Sequence, residues 1–495
     1  APGRARRAML YCGASPLRIS VPRPAPLRIH LIAIGGTGMA PLACLLQAEG
    51  HIVTGSDGPL YPPMSTLLEA AGIAPLVGFE APHLDPAPDL VVVGNAVRRD
   101  NPEAVETERL GLPRLSMPEA LARFFLADRR PLVVAGTHGK TTTTALAAWV
   151  LTAAGRDPGF LVGGVPIDLG ASFRRGGGPR FVVEGDEYNA AYFDRGAKFL
   201  HYRPETLVLT SVEYDHADLY PDPAALLAAY ARLIGLLPES GLLVACGDSP
   251  AVRALARHAP CPVVLYGESE GLDVRFAAPP RTGPDGVRFT VVERDGARHE
   301  VALGIGGTHN ATNALSVWAT ARHDGLAPAE IAAAFAAFRG VKRRQELLGE
   351  AGGIAVVDDF AHHPTAVGKT LAALAARFPG RRLVACFEPR SLTAGRSFFL
   401  DGYRAAFPHA ARVFFAPLFH RDRLQEAERL DLAALAAELS ARGTPATATA
   451  SVDELERLVL DEARAGDVVV AMSSGSFSGL PRRLAAALAA RDPRR

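Results

Sequence analysis

Val133-Val134-Ala135-Gly136-Thr137-His138-Gly139-Lys140-Thr141-Thr142-Thr143 decides how this chain is read. Gly-Lys-Thr and a second glycine stand between an apolar strand candidate, Leu132–Ala135, and a helix candidate running to about Ala154. A loop turned from strand into helix aims backbone N–H groups and a helix N-terminus at one point, which makes a cradle for phosphate oxygens. The lysine places a positive charge near β- and γ-phosphates, and the hydroxyl after it reaches Mg²⁺. Composition sharpens the reading. Lys140, Lys198, Lys342 and Lys369 are the four lysines of a chain with 49 arginines, so lysine is kept here where arginine is the habit. The spacing is G-x-x-G-K-T; the longer G-x-x-x-x-G-K-[ST] form asks for glycine where the chain has Val134.

Outward from this loop, the same strand–glycine loop–helix opening occurs on either side. Before it, Leu27–Ile34 reads as a strand entering Gly35-Gly36-Thr37-Gly38, followed by a helix over Pro41–Ala48 and strands at Ile52–Asp57 and Leu90–Val93. After it, strands at Phe181–Glu184 and Thr206–Ser211 and a helix near Pro223–Leu237 continue the alternation. Asp273–Leu303 reads as a small antiparallel β region, and helices resume over His309–Arg322 and Pro328–Phe338. A third opening follows Gly340, with strands Ile354–Val357 and Arg382–Phe387 and a last strand Asp467–Met472. The pattern predicts three α/β domains in series, over residues 28–128, 129–339 and 340–495, as expected for 495 residues at roughly 100–200 per domain. Residues 1–27 hold Arg4, Arg6, Arg7 and several prolines without an apolar signal core, and read as a disordered extension rather than a secretory signal.

An apolar content of 48% supports buried cores, and a net charge of +1 carries no bulk attraction for nucleic acid or membrane. The five cysteines are scattered without a C-x-x-C pair, which argues against a disulfide framework or zinc site and fits a reducing, cytoplasmic compartment. There is no uninterrupted apolar run of the ~18 residues that span a bilayer.

Further candidates lie at strand ends. Gly36-Thr37-Gly38, with Pro41 in place of a third glycine and Asp57 about twenty residues on, fits NAD binding and a ligand-free turn equally. Glu184-Gly185-Asp186-Glu187 and Glu213-Tyr214-Asp215-His216-Ala217-Asp218 are acidic clusters. Two such clusters in one phosphate-loop domain favour Mg²⁺ binding over solvated loops. Asn310 and Asn313 share a helix face and suit either an adenine edge or an N-cap. Lys342-Arg343-Arg344 falls at a domain junction, where a cation can reach across. Asp358-Asp359-Phe360-Ala361-His362-His363-Pro364 closes a strand with two acids and two histidines.

Taken in order, the Gly136–Thr143 loop, Glu184, Asp215-His216, His309-Asn310-x-x-Asn313, Arg343-Arg344 and Asp358-Asp359 resemble the Mur ligases, the ATP-dependent amide-forming enzymes of peptidoglycan synthesis, over nearly all of the chain after residue 27. Tyr61-Pro62-Pro63-Met64-Ser65-Thr66, Pro158–Pro166, His201-Tyr202-Arg203-Pro204 and Asp359–Thr365 are most similar to the branch that joins L-alanyl-γ-D-glutamyl-meso-diaminopimelate to UDP-N-acetylmuramate in peptidoglycan recycling. The resemblance implies a Rossmann-like UDP-binding domain, a central P-loop ATPase-like domain and a Rossmann-like C-terminal domain for the peptide. It implies that Gly136, Thr137, His138, Gly139, Lys140, Thr141 and Thr142 surround ATP. Thr141, Glu184 and His216 would ligate Mg²⁺, and Asn310 and Asn313 would face the nucleotide. Arg344 and Asp359 would reach ATP from the third domain, while Gly36, Thr37, Gly38, Met39, Ser56, Asp57 and Asn95 would hold the UDP-sugar. The implied catalytic set is Lys140, Glu184, His216, Arg344 and Asp359, in a monomer or weak dimer. A muramate–alanine ligase is the alternative within the family, and an NAD-dependent dehydrogenase the alternative outside it. Three departures stand out. Ser211 replaces a frequent asparagine, the Ser473–Gly479 loop lacks an Asn-Gly-Gly form, and no lysine between Lys198 and Lys342 is available for the carbamylation many relatives use.

Overall fold

The computed structural model describes residues 25–61, 63–215 and 219–491. The extension expected at residues 1–27 lies almost wholly outside them, as does His216. Three α/β sheets follow one another along the chain. The first is all parallel, in the order Leu76–Val77, Ile52–Asp57, Arg28–Ile32, Leu90–Val93 and Arg114–Ser116. Leu90–Val93 is apolar throughout and buried on both faces, the mark of a covered parallel strand. Helix Met39–Ala48 follows the first glycine loop with no side chain capping its N-terminus.

The central sheet has eleven strands. Arg130–Ala135 lies in its middle, between Arg180–Gly185 on one side and Thr206–Leu209 on the other, all parallel. The chain therefore reverses direction across the sheet at Arg130–Ala135, and ligand crevices of open α/β sheets form at the carboxyl side of such a switch. Register makes the convergence concrete: Ala135 pairs with Gly185 and with Leu209, so Gly136, Asp186 and Thr210 leave the sheet side by side. The Asp273–Leu303 region is antiparallel, as its turn residues predict. It does not stand apart, however, but extends the central sheet through Val263–Gly267 and Val274–Phe276. Helix Lys140–Ala153 buries ten of its residues and packs on helix Thr308–His323. At about 1.5–3 kcal/mol per fully buried large apolar side chain, Leu146, Val150 and Leu151 hold the end of this helix rigidly behind the loop.

The third sheet runs Glu346–Ala351, Ile354–Asp359, Asp467–Met472, Arg382–Phe387, Arg412–Phe415 and Ala446–Ala448, parallel except for the first. It is docked on the central domain. Ile167 N–H donates to Gly340 O at 2.9 Å and Lys342 N–H to Val165 O at 3.0 Å. Just before the junction, within the central domain, Arg339 pairs with Asp168 at 2.6 Å. Helix Pro364–Arg377 packs on the Arg281–Gly283 strand. No helix among the described residues is long and apolar enough to cross a membrane.

Candidate active site

The phosphate loop is built by two glycines that no other residue replaces cheaply. Gly136 has φ +129° and Gly139 φ +82°, both in the left-handed half of φ space. A Cβ on Gly136 would fall 2.2 Å from Thr210 Oγ1, and one on Gly139 would fall 2.6 Å from Asn313 Oδ1. The second approach brings helix Thr308–His323 against the loop and puts Asn313 beside it. Asn310 turns instead to Gly306 O, donating at 2.7 Å.

Not every loop N–H is free for a ligand. Thr137 N–H donates to Ser211 O at 2.8 Å and His138 N–H to Ser211 Oγ at 3.1 Å. Among the described residues, the N–H groups of the uncapped first turn, Lys140, Thr141 and Thr142, are open, before Thr143 N–H closes the first helical bond to Gly139 O. Ser211, a departure from the family's frequent asparagine, thus anchors the loop.

Lys140 Nζ donates to Gly136 O at 2.7 Å and to Glu187 at 2.9 Å. Burial pulls its proton affinity down, but Glu187, Asp186 and Glu184 more than offset this, so it stays cationic with its pKa raised. Thr141 Oγ1 donates to Glu184 Oε2 at 3.1 Å and accepts from the Arg344 guanidinium at 3.0 Å. Glu184 Oε1 accepts Gly163 N–H at 2.6 Å. Burial first and Asp186 second raise the Glu184 pKa against the pull of Gly163 N–H, Arg344 and Lys140. A carboxylate this poorly compensated is stabilised by a cation. With the Thr141 hydroxyl it makes an all-oxygen donor pair suited to Mg²⁺.

Arg344 belongs to the third domain's entry and is 203 residues from Thr141 in sequence. It lies over the Phe360 ring at 4.7 Å, and burial lowers its pKa while Asp359 and Glu184 oppose that. Asp359 does not touch the phosphate loop directly. It accepts Gln345 N–H at 2.7 Å, Ala361 N–H at 2.8 Å and Thr370 Oγ1 at 3.2 Å, fixing the turn that presents Arg344.

A second contact across the same cleft involves residues outside the expected set. Glu213 Oε2 accepts Thr365 Oγ1 of the third domain at 2.9 Å and lies 3.3 Å from His138 Nε2 and 4.0 Å from His363 Nδ1. The His138 hydrogen bond, opposed by burial, takes the Glu213 pKa down to about 2. Burial takes His363 down to about 4. Glu187 and Glu213 were visible in sequence as members of acidic runs; the approach of His363 to Glu213, 150 residues earlier, was not.

In the first domain, Gly36 and Thr37 are exposed at the loop and Asn95 is exposed past strand Leu90–Val93. Met39 is buried as the first helical residue, and a Cβ on Gly38 would meet Met117 Cε at 2.6 Å. Asp57 spends both carboxylate oxygens on backbone N–H groups, Gly35 and Gly58, each at 2.7 Å. It therefore shapes the glycine loop, each oxygen already holding one backbone N–H. Ser56 is fully buried, and its hydroxyl donates to Glu103 at 2.5 Å.

Known families match these three parts in order: the Mur ligase family catalytic domain over residues 28–129, the Mur ligase middle domain over 134–321 and the Mur ligase glutamate ligase domain over 343–475. The UDP-N-acetylmuramate–L-alanyl-γ-D-glutamyl-meso-2,6-diaminoheptandioate ligase of Escherichia coli K12 is 40% identical over 465 residues, covering 94% of this chain and 98% of the relative. A UDP-N-acetylmuramate–L-alanine ligase of Rubrobacter xylanophilus is also 40% identical, over 381 residues, covering 77% of this chain and 81% of that one. The crystal structure of a murein peptide ligase from Psychrobacter arcticus superposes with a TM-score of 0.72 at 35% identity, covering 94% of this chain and 99% of that one.

Proposed function

The chain belongs to the Mur ligase family, and we propose that it joins L-alanyl-γ-D-glutamyl-meso-diaminopimelate to UDP-N-acetylmuramate with hydrolysis of ATP to ADP, in the cytoplasm, as a step of peptidoglycan recycling. The observation that carries the reading is the Thr141 hydroxyl, held at an open helix N-terminus between Glu184 of its own domain and Arg344 of the next. An ATP-using site completed only by a docked second domain is what a water-sensitive acyl phosphate requires.

The reaction joins a carboxylate to an amine in two displacements. The lactyl carboxylate oxygen attacks the γ-phosphorus and ADP leaves; the L-alanine nitrogen then attacks the acyl carbon, phosphate leaves and the amine gives up its proton. Two anions must meet in the first step. Lys140 supplies positive charge beside the loop, the first-turn N–H groups of Lys140, Thr141 and Thr142 receive phosphate oxygens, and Arg344 adds a cation from the far wall. Thr141 and Glu184, with His216, would hold Mg²⁺, which when bound neutralises phosphate charge as a Lewis acid. Asn313 lies where a nucleotide on the loop would pass, and the Gly36–Met39 turn offers a second helix N-terminus for the UDP diphosphate.

The Rubrobacter relative supports a second reading, ligation of free L-alanine, although the match spans less of the chain. One assay separates them: UDP-N-acetylmuramate, ATP and Mg²⁺ with either L-alanine or the tripeptide, the product identified by mass. Exclusive use of L-alanine overturns the proposal. Glu184→Ala is expected to abolish ADP formation with either acceptor.

A further inference from the structure

The third sheet brings a crevice flanked by two arginines to the carboxyl ends of three adjacent strands. Asp359, Met472 and Phe387 pair side by side as terminal residues, so Phe360, the Ser473–Ser476 loop and Glu388-Pro389-Arg390 leave the sheet along one edge. Arg343 grips one side of that loop through the carbonyls of Ser473, at 3.0 Å, and Gly475. Arg390 lies against the other side. A Cβ on Gly475 would fall 1.9 Å from Arg390 Nε, so any larger residue there would displace the arginine from this seat. The Arg390 guanidinium sits 3.8 Å from the centre of the Phe419 ring, and Phe419 is itself 49% exposed.

Glu388 pairs with Arg390 at 3.6 Å, beyond hydrogen-bond reach, and its buried carboxylate accepts from Ser473 Oγ at 2.5 Å. Among the described residues the Arg390 guanidinium donates no hydrogen bond, although its side chain is only 25% exposed. His420 packs edge-on to Phe419, and Arg423 and Arg390 both add to the burial that keeps its ring from protonating, opposed by Glu388. Each arginine of the crevice has one acid at ion-pair range, Asp358 at 3.3 Å from Arg343 and Glu388 at 3.6 Å from Arg390, and the Arg390 guanidinium keeps hydrogen-bond donors for a further carboxylate. A guanidinium over an aromatic face keeps its in-plane donors free, the geometry that reads a carboxylate through two parallel bonds.

We propose that Arg390, seated between Phe419 and Gly475, binds the free α-carboxylate of the γ-D-glutamyl residue of the incoming peptide and so selects a peptide over free L-alanine. This rests on the ligase reading above. The γ-linkage leaves that carboxylate unblocked, and it is the first anion beyond the reacting amine, about 6 Å along an extended chain. Arg390 leaves the sheet two strand spacings, about 10 Å, from Asp359, on whose side Arg344 enters the phosphate loop. Free L-alanine carries its carboxylate on the reacting residue itself, where this arginine does not reach.

The test pairs a changed substrate with a changed protein. Wild type, Arg390→Ala and Arg390→Lys are assayed with the tripeptide and with its D-isoglutaminyl analogue, in which that carboxylate is an amide. Amidation is expected to raise the wild-type peptide KM at least tenfold. Arg390→Ala is expected to raise it similarly for the acid peptide and to make amidation nearly silent, with Arg390→Lys between. An unchanged KM for ATP in the variants reports an intact fold. A wild-type KM indifferent to amidation, or penalties of amidation and substitution that simply multiply, overturns the inference while leaving the ligase reading standing. Wild type that makes no product from the tripeptide overturns both.

Discussion

Arg344→Ala tests whether the third domain supplies chemistry or only a lid. In the docked structure the guanidinium donates to Thr141 Oγ1 at 3.0 Å and is attached to its own domain by its stack on Phe360. A hydrogen bond from a charged donor contributes roughly 1.5–3 kcal/mol. Losing about 2 kcal/mol of docking costs roughly 30-fold in the docked population. A cation placed on a transferring phosphoryl group contributes far more, about 10³–10⁵ in kcat. Because Arg344 shares Thr141 with Glu184, the larger figure is expected: kcat down by at least about 10³. The KM for ATP should change much less, since Lys140 and the first-turn N–H groups stay in place. Glu184 also loses one of the charges holding its pKa down, which adds to the effect. Steady-state ADP release and a single-turnover measurement with labelled ATP read the two parameters. Arg344→Lys should recover little, because an ammonium cannot both stack on Phe360 and span to Thr141 as the planar fork does. A kcat within threefold of wild type in Arg344→Ala refutes the reasoning, and a loss near 30-fold reassigns Arg344 to docking alone.

Three further outcomes follow from the same geometry. Gly139→Ala meets Asn313 Oδ1 at 2.6 Å in a left-handed backbone, and should lower the melting temperature and weaken binding of a non-hydrolysable ATP analogue by calorimetry at least tenfold; unchanged affinity would show the loop tolerates the clash. Acidification should undock the third domain. His309 and His363 face each other's domains and are both held near pKa 4, chiefly by burial, so the docked state binds fewer protons than the undocked state between pH 6.5 and 4. Docking is therefore complete above that window and weakens as pH falls through it, by roughly 1.4 kcal/mol per histidine at pH 5.5, less for the partly exposed His309. A radius of gyration that stays constant from pH 7.5 to 5.5 in the folded protein would contradict this. Finally, Glu103 is fully buried and accepts from Ser56 and Glu80 N–H, with His30 and His83 against its carboxylate. Glu103→Ala strands these groups and should destabilise the protein by about 3 kcal/mol in urea unfolding, and a change below 1 kcal/mol would argue against a cooperative cluster.

The elements most legible in the sequence were those with the simplest physical signature. Ile52–Asp57, Leu90–Val93, Arg382–Phe387 and Asp467–Met472 are strands with the expected bounds. Most are apolar runs ending at a glycine, an acid or a serine, as covered parallel strands do. Glu346–Ala351 escaped because it is a half-polar edge strand with a bulge between Leu347 and Gly349, so no period-two pattern survives. The Asp273–Leu303 strands were read correctly as antiparallel, but nothing in their alternation says which sheet they join. In the site, Lys140, Thr141 and Glu184 stood out because loop spacing and strand ends are local facts. The second cleft contact, joining Glu213 to Thr365 and His363, and the seating of Arg390 against Gly475 depend on residues more than eighty positions apart.

Short windows of the chain already hold the available chemistry: a phosphate loop with its lysine, acids at strand ends, and three strand–loop–helix openings in a set order. These are consequences of local backbone geometry and apolar periodicity, which short windows contain. How the groups are used follows from the assembled fold. It turned Asp57 and Asp359 into braces for loops, tied the Thr137 and His138 amides to Ser211, and carried Arg344 across to Thr141. Whether a polar group faces a ligand or a neighbouring loop depends on which desolvated partners packing brings within hydrogen-bond reach, and that is a property of the assembled domains rather than of any stretch of chain.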